Sequence, residues 1–208
     1  MKLDERIKVI IEIYDNLEEI LDSLPDVIPG VGVIKDQLKK AILDDKELKY
    51  LIDDLNNDNL KNKRPQMLVK LADKFTKIFS SISATIALTP IPLADVFILC
   101  ALQGVLVALI AALGGRKLTL EAAGEFVVSM GGVGVVGFGL RTAAQQAVKL
   151  LNIFPGAGST ISAGIAATGT VLVGRAARKY YLQNMSMDAV IKNVRRRRRI
   201  GRKRPNFA

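Results

Sequence analysis

Between Leu93 and Leu113 the chain runs for 21 residues with one charge, Asp95, and twelve Leu, Ile, Val or Phe side chains. Pro90 and Pro92 precede this run, and Gly104 is its only weak helix former. At 1.5 Å per residue a helix of that length covers about 30 Å, the thickness of a bilayer's hydrocarbon. Its aliphatic residues sum to roughly −4 to −7 kcal/mol on an insertion scale, more than Asp95 would cost even at mid-bilayer. Asp95 falls in the first helical turn, where the helix dipole favours an anion. The stretch is therefore expected to enter a membrane or a deep core, and the rest of the chain to support it.

Charge divides the 208 residues into three parts. Residues 1–77 hold 14 basic and 16 acidic side chains, a balanced surface, and residues 78–174 hold only seven charges. From Arg175 onward twelve are basic and only Asp188 is acidic, so the net charge of +10 belongs to the C-terminal end. The boundaries expected are an amphipathic helical region over 1–64, an apolar glycine-rich helical domain over 65–183 and a basic tail over 184–208. The first 22 residues are charged throughout and lack the apolar core of a signal peptide.

Catalytic chemistry finds little material. There is no histidine, and the one cysteine, Cys100, lies inside the apolar run. Metal-ligand spacings, Ser-His or Cys-His nucleophile pairs and disulfide frameworks are thereby absent. Gly132-Val133-Gly134-Val135-Val136-Gly137 matches G-x-G-x-x-G, but it is flanked by helical apolar sequence and no acid follows until Asp188. A dinucleotide site needs a preceding strand and an acid about 20 residues on, so Gly132 and Gly137 are read as helix-packing positions. Gly156-Ala157-Gly158-Ser159-Thr160 lacks the lysine of a phosphate loop. No enzyme activity and no cofactor are expected.

The helical pattern is clear elsewhere. Leu3, Ile7, Ile10, Tyr14, Leu17, Leu21 and Leu24 repeat at spacings of four and three, which predicts a helix over 2–24 with a heptad seam. That seam either packs on its own domain or joins a partner or second copy. Residues 31–55 predict one or two short helices, with Val33, Ile34, Leu38, Ile42, Leu48 and Leu51 as core candidates. A polar loop from Asn56 leads to Pro65. Residues 66–88 predict a helix with Leu68, Leu71, Phe75, Ile78 and Ile82 on one side and Lys70, Lys74 and Lys77 on another.

Beyond the apolar run, Gly114 and Gly115 suit a helix stop. Residues 122–140 hold six glycines, which weaken a helix in water by about 1 kcal/mol each but let backbones approach closely. Phe154 to Gly158 reads as a loop before a further helix toward Tyr181. In that helix Gly164, Gly169 and Gly174 form a small-residue face for packing, with Gly156 and Gly158 at its entrance. Within the main apolar helix Asp95 and Gln103 are the polar exceptions, and Gln103 is expected to bond across a helix pair.

Arg195, Arg196, Arg197, Arg198, Arg199, Arg202, Lys203 and Arg204 are the strongest electrostatic feature. Such a cluster beside apolar helices attracts anionic headgroups at about 1 kcal/mol per residue near the surface. Nucleic acid phosphates would attract it too, but aromatic interleaving is missing apart from Phe207. Basic residues flank the apolar region on both sides, which places both termini on the cytoplasmic side and favours an even number of crossings.

Pro90-x-Pro92-x-Ala94-Asp95 with Leu102-Gln103, then Pro155-Gly156-x-Gly158 and Gly174-Arg175-Ala176-Ala177 with Tyr180 and Tyr181, resembles an uncharacterised helical domain. That domain accompanies Era-like and dynamin-like bacterial GTPases, and the resemblance covers about residues 70–182. It implies an all-α, membrane-associated module that works beside a small GTPase, and it implies no catalytic residues. The 208 residues contain no GTPase domain.

The expectation is an all-α protein: amphipathic N-terminal helices plus a glycine-rich apolar hairpin or bundle, membrane-associated. It would serve as a non-enzymatic adaptor or membrane-remodelling module, with anionic lipid on the tail, a small GTPase as partner and possible self-association through the first helix. The rivals are a pore-forming, holin-like hairpin protein and a soluble bundle with a nucleic-acid-binding tail.

Overall fold

The computed structural model describes residues 3–15, 18, 31–88, 94–116, 120–129 and 157–193. The elements among them are helical, with no strand. In chain order they are α1 (Leu3–Asp15), α2 (Val31–Leu43), α3 (Lys46–Asn56), α4 (Arg64–Leu88), α5 (Ala94–Leu113), α6 (Leu120–Ser129) and α7 (Ala157–Tyr181). A 3-10 segment, Asp58–Lys63, links α3 to α4, and a short helix, α8, occupies residues 187–193.

The apolar run forms α5, the central helix. It packs against α1, α4, α6 and α7, and no side chain between Leu99 and Leu113 is exposed. Leu106 and Ile110 are wholly buried. A helix that is hydrophobic all round needs such a setting, and each large aliphatic side chain buried there contributes about 1.5–3 kcal/mol of transfer free energy. Among the described residues no helix is long and apolar enough to cross a membrane. Neighbouring helices surround the described part of α5, and the membrane-spanning hairpin expected of the sequence finds no support among the described residues. The hairpin's second arm, the glycine-rich run beyond Ser129, lies outside the described residues.

α5 stops where the two glycines predict. Gly115 adopts φ 77°, and Arg116 N–H donates to the Ala111 carbonyl at 2.9 Å. Gly115 N–H donates to the Ala112 carbonyl at 2.8 Å, so the left-handed residue closes the helix by satisfying its last carbonyls. Arg116 then lies over the rings of Tyr180 and Tyr181, 5.3 and 5.5 Å from their centroids. Those rings also meet Phe126 of α6. This cluster ties α6 and the end of α7 to the end of α5.

α4 and α7, each 25 residues long, lie side by side and flank α5. The α4 stripe is the predicted one: Leu68, Leu71, Phe75, Ile78 and Ile82 are buried, while Lys70 and Lys77 are exposed. α4 begins at Arg64, and Pro65 sits in its first turn, where a missing N–H costs nothing.

The N-terminal helices join the same core. One cluster of buried apolar side chains runs from Ile7 through Leu38, Leu48 and Leu71 to Ile110 and Val190, on both sides of residue 64. Ile7 and Ile10 of the heptad seam are buried, with Leu3 and Tyr14 packed at the edge. The described part of the seam thus faces the chain's own bundle, while Leu17 and Leu21 lie outside the described residues. Two arginines fix the arrangement. Arg64, 5% exposed, donates to the Leu55 carbonyl at 3.1 Å, to Asp4 at 2.7 Å and to Asp58 at 3.3 Å, so one guanidinium joins α1, α3, the 3-10 segment and α4. Arg6 of α1 donates to the Leu113 carbonyl at the end of α5. Desolvation by burial lowers the pKa of Arg6.

Candidate functional site

α7 presents Arg175, Arg178 and Lys179 at spacings of three and four, which set them on one face of the helix. Across from them α4 contributes Asp73 and Lys77, and Asn193 of α8 closes one end. Together they line a groove of about 460 Å3 with an apolar floor that includes Val171 and Leu172. Thr76 also lines it, and at Thr76 the two helices come close together: a Cβ at Gly174 would stand 2.4 Å from Thr76 Oγ1. The glycine lets the two backbones approach, and that approach puts the cations of both helices around one cavity.

The electrostatics are lopsided. Four cations face one carboxylate, an excess of three. Arg178 Nη1 pairs with Asp73 Oδ2 at 2.6 Å, which holds the guanidinium in place. Its Nε is buried and has no hydrogen-bond partner among the described residues. Lys77, Arg175 and Lys179 have no carboxylate within ion-pair distance among the described residues. Like charges one helical turn apart cost stability, and this arrangement of donors can accept an anion.

A second polar feature is sealed in the core. Gln103 of α5 and Thr170 of α7 are wholly buried, as is Ser83 of α4. Gln103 Nε2 donates to Thr170 Oγ1 at 3.2 Å, Thr170 and Ser83 hydroxyls meet at 2.7 Å, and Ser83 Oγ donates to the Phe79 carbonyl at 2.8 Å. Ser83's proton goes to Phe79, so Thr170 is the donor to Ser83 and the protons run in one direction from α5 through α7 to α4. Gln103 Oε1 is buried without a partner among the described residues. The chain of bonds sets the register of the three helices and offers no reactive group.

The residues singled out from the sequence fall as follows. Asp95 lies in the first turn of α5, and Gln103 faces α7 in the core. Gly174 is at the α4 crossing, Gly169 is buried, and Gly164 is exposed with nothing near its Cβ position. α7 begins at Ala157, so Gly158 is helical where a loop was expected. Pro90, Pro92, Gly132, Gly137, Gly156 and the cations Arg195 to Arg199, Arg202, Lys203 and Arg204 lie outside the described residues. The cations of the groove were missed, although the Arg175, Arg178, Lys179 spacing was visible. What the sequence did not carry is their meeting with Lys77, about a hundred positions earlier. Among the described residues no three His, Cys, Asp or Glu side chains stand where they could hold a metal ion.

A family model described as a domain of unknown function (DUF697) matches residues 49–201. The match reaches further at both ends than the stretch that carried the resemblance, taking in most of α3 and the run Arg195–Arg199. No curated protein and no solved structure matches the chain.

Proposed function

The chain belongs to the family described as a domain of unknown function (DUF697), and from its geometry we propose that it is a non-enzymatic helical adaptor that attaches to anionic membrane surfaces through its basic end. One observation carries this reading. Asn193 lines the cationic groove, and Arg195 follows only two residues later. Successive Cα atoms are 3.8 Å apart, so the arginine run starts within about 8 Å of the groove's end. Chain connectivity thus keeps the start of the arginine run near the groove, and each cation near an anionic surface adds about 1 kcal/mol of attraction. Attachment is peripheral, with α5 remaining in the core. Work beside a small GTPase is part of the proposal and is supported by the resemblance of the Pro90 to Tyr181 pattern.

Fractionation of the expressed full chain tests it. Membranes are washed with high salt and then with alkaline carbonate. The expected result is sedimentation with membranes and release by salt alone. Retention through carbonate would replace peripheral attachment with insertion. Recovery in the soluble fraction from the outset, with salt-sensitive binding to RNA or DNA, would overturn the membrane reading.

A further inference from the structure

We propose that the groove between α4 and α7 is a binding site for one phosphomonoester group, supplied by the headgroup of an anionic lipid. This deepens the adaptor reading and rests on it for the source of the phosphate, though not for the existence of the site.

A diffuse basic surface needs only charge. The groove has more than that. A phosphomonoester carries about −1.5 to −2 charges near neutral pH, which matches an excess of three cations on a single cavity better than the one charge of a diester. Arg178 is held by Asp73 at 2.6 Å, so its guanidinium is oriented before any ligand arrives, and its Nε is a buried donor with no partner among the described residues. Arg175 and Lys179 stand one turn apart on the same helix, and Lys77 faces them from α4. The cavity, about 460 Å3, is in the range of small-molecule sites and exceeds what a phosphate alone would fill. Its apolar floor suits the glycerol and first methylenes of a lipid.

Two other occupants fit less well. The chain's own arginine run has the groove's sign and is repelled by it. Nucleic acid would use aromatic stacking as well as charge, and no aromatic side chain among the described residues lines the cavity. The run's role toward the site is that of a field that raises the local concentration of anions.

The test uses the full chain, the double variant Arg175→Gln/Lys179→Gln and a variant with Arg195 to Arg199 changed to Gln. Each is sedimented with phosphatidylcholine vesicles holding either phosphatidic acid or phosphatidylserine at equal total negative charge, and titrated with soluble glycerol phosphate. Circular dichroism checks that each variant is folded. The unaltered chain is expected to prefer phosphatidic acid by roughly thirtyfold, as two well-placed cations at about 1 kcal/mol each would provide. The double variant should lose that preference while keeping its binding to phosphatidylserine, and the tail variant should weaken on both vesicles alike.

A double variant that keeps the preference overturns the proposal. If the unaltered chain binds neither vesicle, the membrane reading fails, and the titration then decides the site by itself. Glycerol phosphate bound by the unaltered chain and lost in the double variant supports a site for a soluble phosphomonoester. No binding in either format overturns the site. Competition of RNA against glycerol phosphate for the unaltered chain, abolished in the double variant, would also overturn it in favour of a nucleic acid surface.

Discussion

Gln103 and Thr170, 67 positions apart in the chain, meet in the middle of the apolar core through a 3.2 Å hydrogen bond, with no exposure of either residue. The pair is the point at which α5 and α7 are held to one relative height. Thr170→Val removes the hydroxyl but keeps the shape, leaving Gln103 Nε2 and the Ser83 oxygen each short of a partner. A loss of about 1–3 kcal/mol is expected. Gln103→Met in the same background should recover most of it, since removing both ends of a buried bond is far less costly than removing one. Chemical denaturation of the two single variants and the double variant measures the coupling, and strict additivity would contradict the bond.

Gly174 and Gly164 are ten residues apart in α7 and should respond oppositely to alanine. At Gly174 the new Cβ would lie 2.4 Å from Thr76 Oγ1 and 2.7 Å from Thr76 Cγ2, so Gly174→Ala should destabilise by about 1–3 kcal/mol. Thr76→Ala added to it removes both clashing atoms and should restore part of the loss. At Gly164 nothing lies within 4 Å, and Gly164→Ala should stabilise by about 0.5–1 kcal/mol through helix propensity alone. Thermal melts of the three variants decide the matter, and equal effects at the two glycines would refute the crossing.

The contrast shows how far the sequence could be read. The limits of α4 and α5, the two glycines that end α5 and the buried stripe of α4 follow from local rules, because periodicity, caps and breakers act within a few residues. The small-residue face of α7 was visible, but Gly164, Gly169 and Gly174 looked alike. Only the placement of Thr76, from a helix eighty residues earlier and more, separates a tight crossing from an open surface. The setting of α5 was open for a related reason. An apolar run long enough for a bilayer is also long enough for the centre of a bundle, and hydropathy alone does not distinguish them. The groove's cations were likewise unreadable as a set, since Lys77 and Arg175 are brought together by packing and not by spacing.

Acid should weaken the link between α3 and α4. Asp45 caps α3 by accepting from Leu48 N–H at 2.9 Å and accepts from Lys74 at 2.8 Å. Burial raises its pKa, but the Lys74 and Leu48 hydrogen bonds outweigh that and hold it below the ordinary 3.8. A depressed carboxylate stabilises the fold at all pH values above its unfolded pKa, and the contribution disappears as pH falls through the folded value. Asp45→Asn should therefore lower stability near neutral pH and flatten the loss of stability below about pH 4 relative to the unaltered chain. Melting temperature followed from pH 7 to pH 2 checks both, and parallel curves would exclude the role assigned to Asp45.

Arg64 is the buried cation most exposed to simple substitution. Arg64→Met keeps the aliphatic volume but releases the Leu55 carbonyl, Asp4 and Asp58 at once. Asp4 and Asp58 are well solvated, so the cost arises mainly at Leu55, and about 1–3 kcal/mol is expected. Amide exchange should quicken first in α1, whose anchor Asp4 is lost. Uniform acceleration across the bundle would show that α1 is not held in this way.

The seating of α1 on α5 has a consequence for the order in which the chain is made. Arg6, Ile7 and Ile10 leave the ribosome long before the apolar helix they cover, and α2 to α4 follow them, so one side of α5 finds its cover already waiting. The other side belongs to α6 and α7, and the last residue of α7, Tyr181, comes 68 residues after Leu113. At 5–20 residues per second that interval lasts roughly 3 to 14 s. During it a strongly apolar helix still lacks its α7 cover, so the nascent chain displays to a membrane or a chaperone an apolar surface that the finished fold hides.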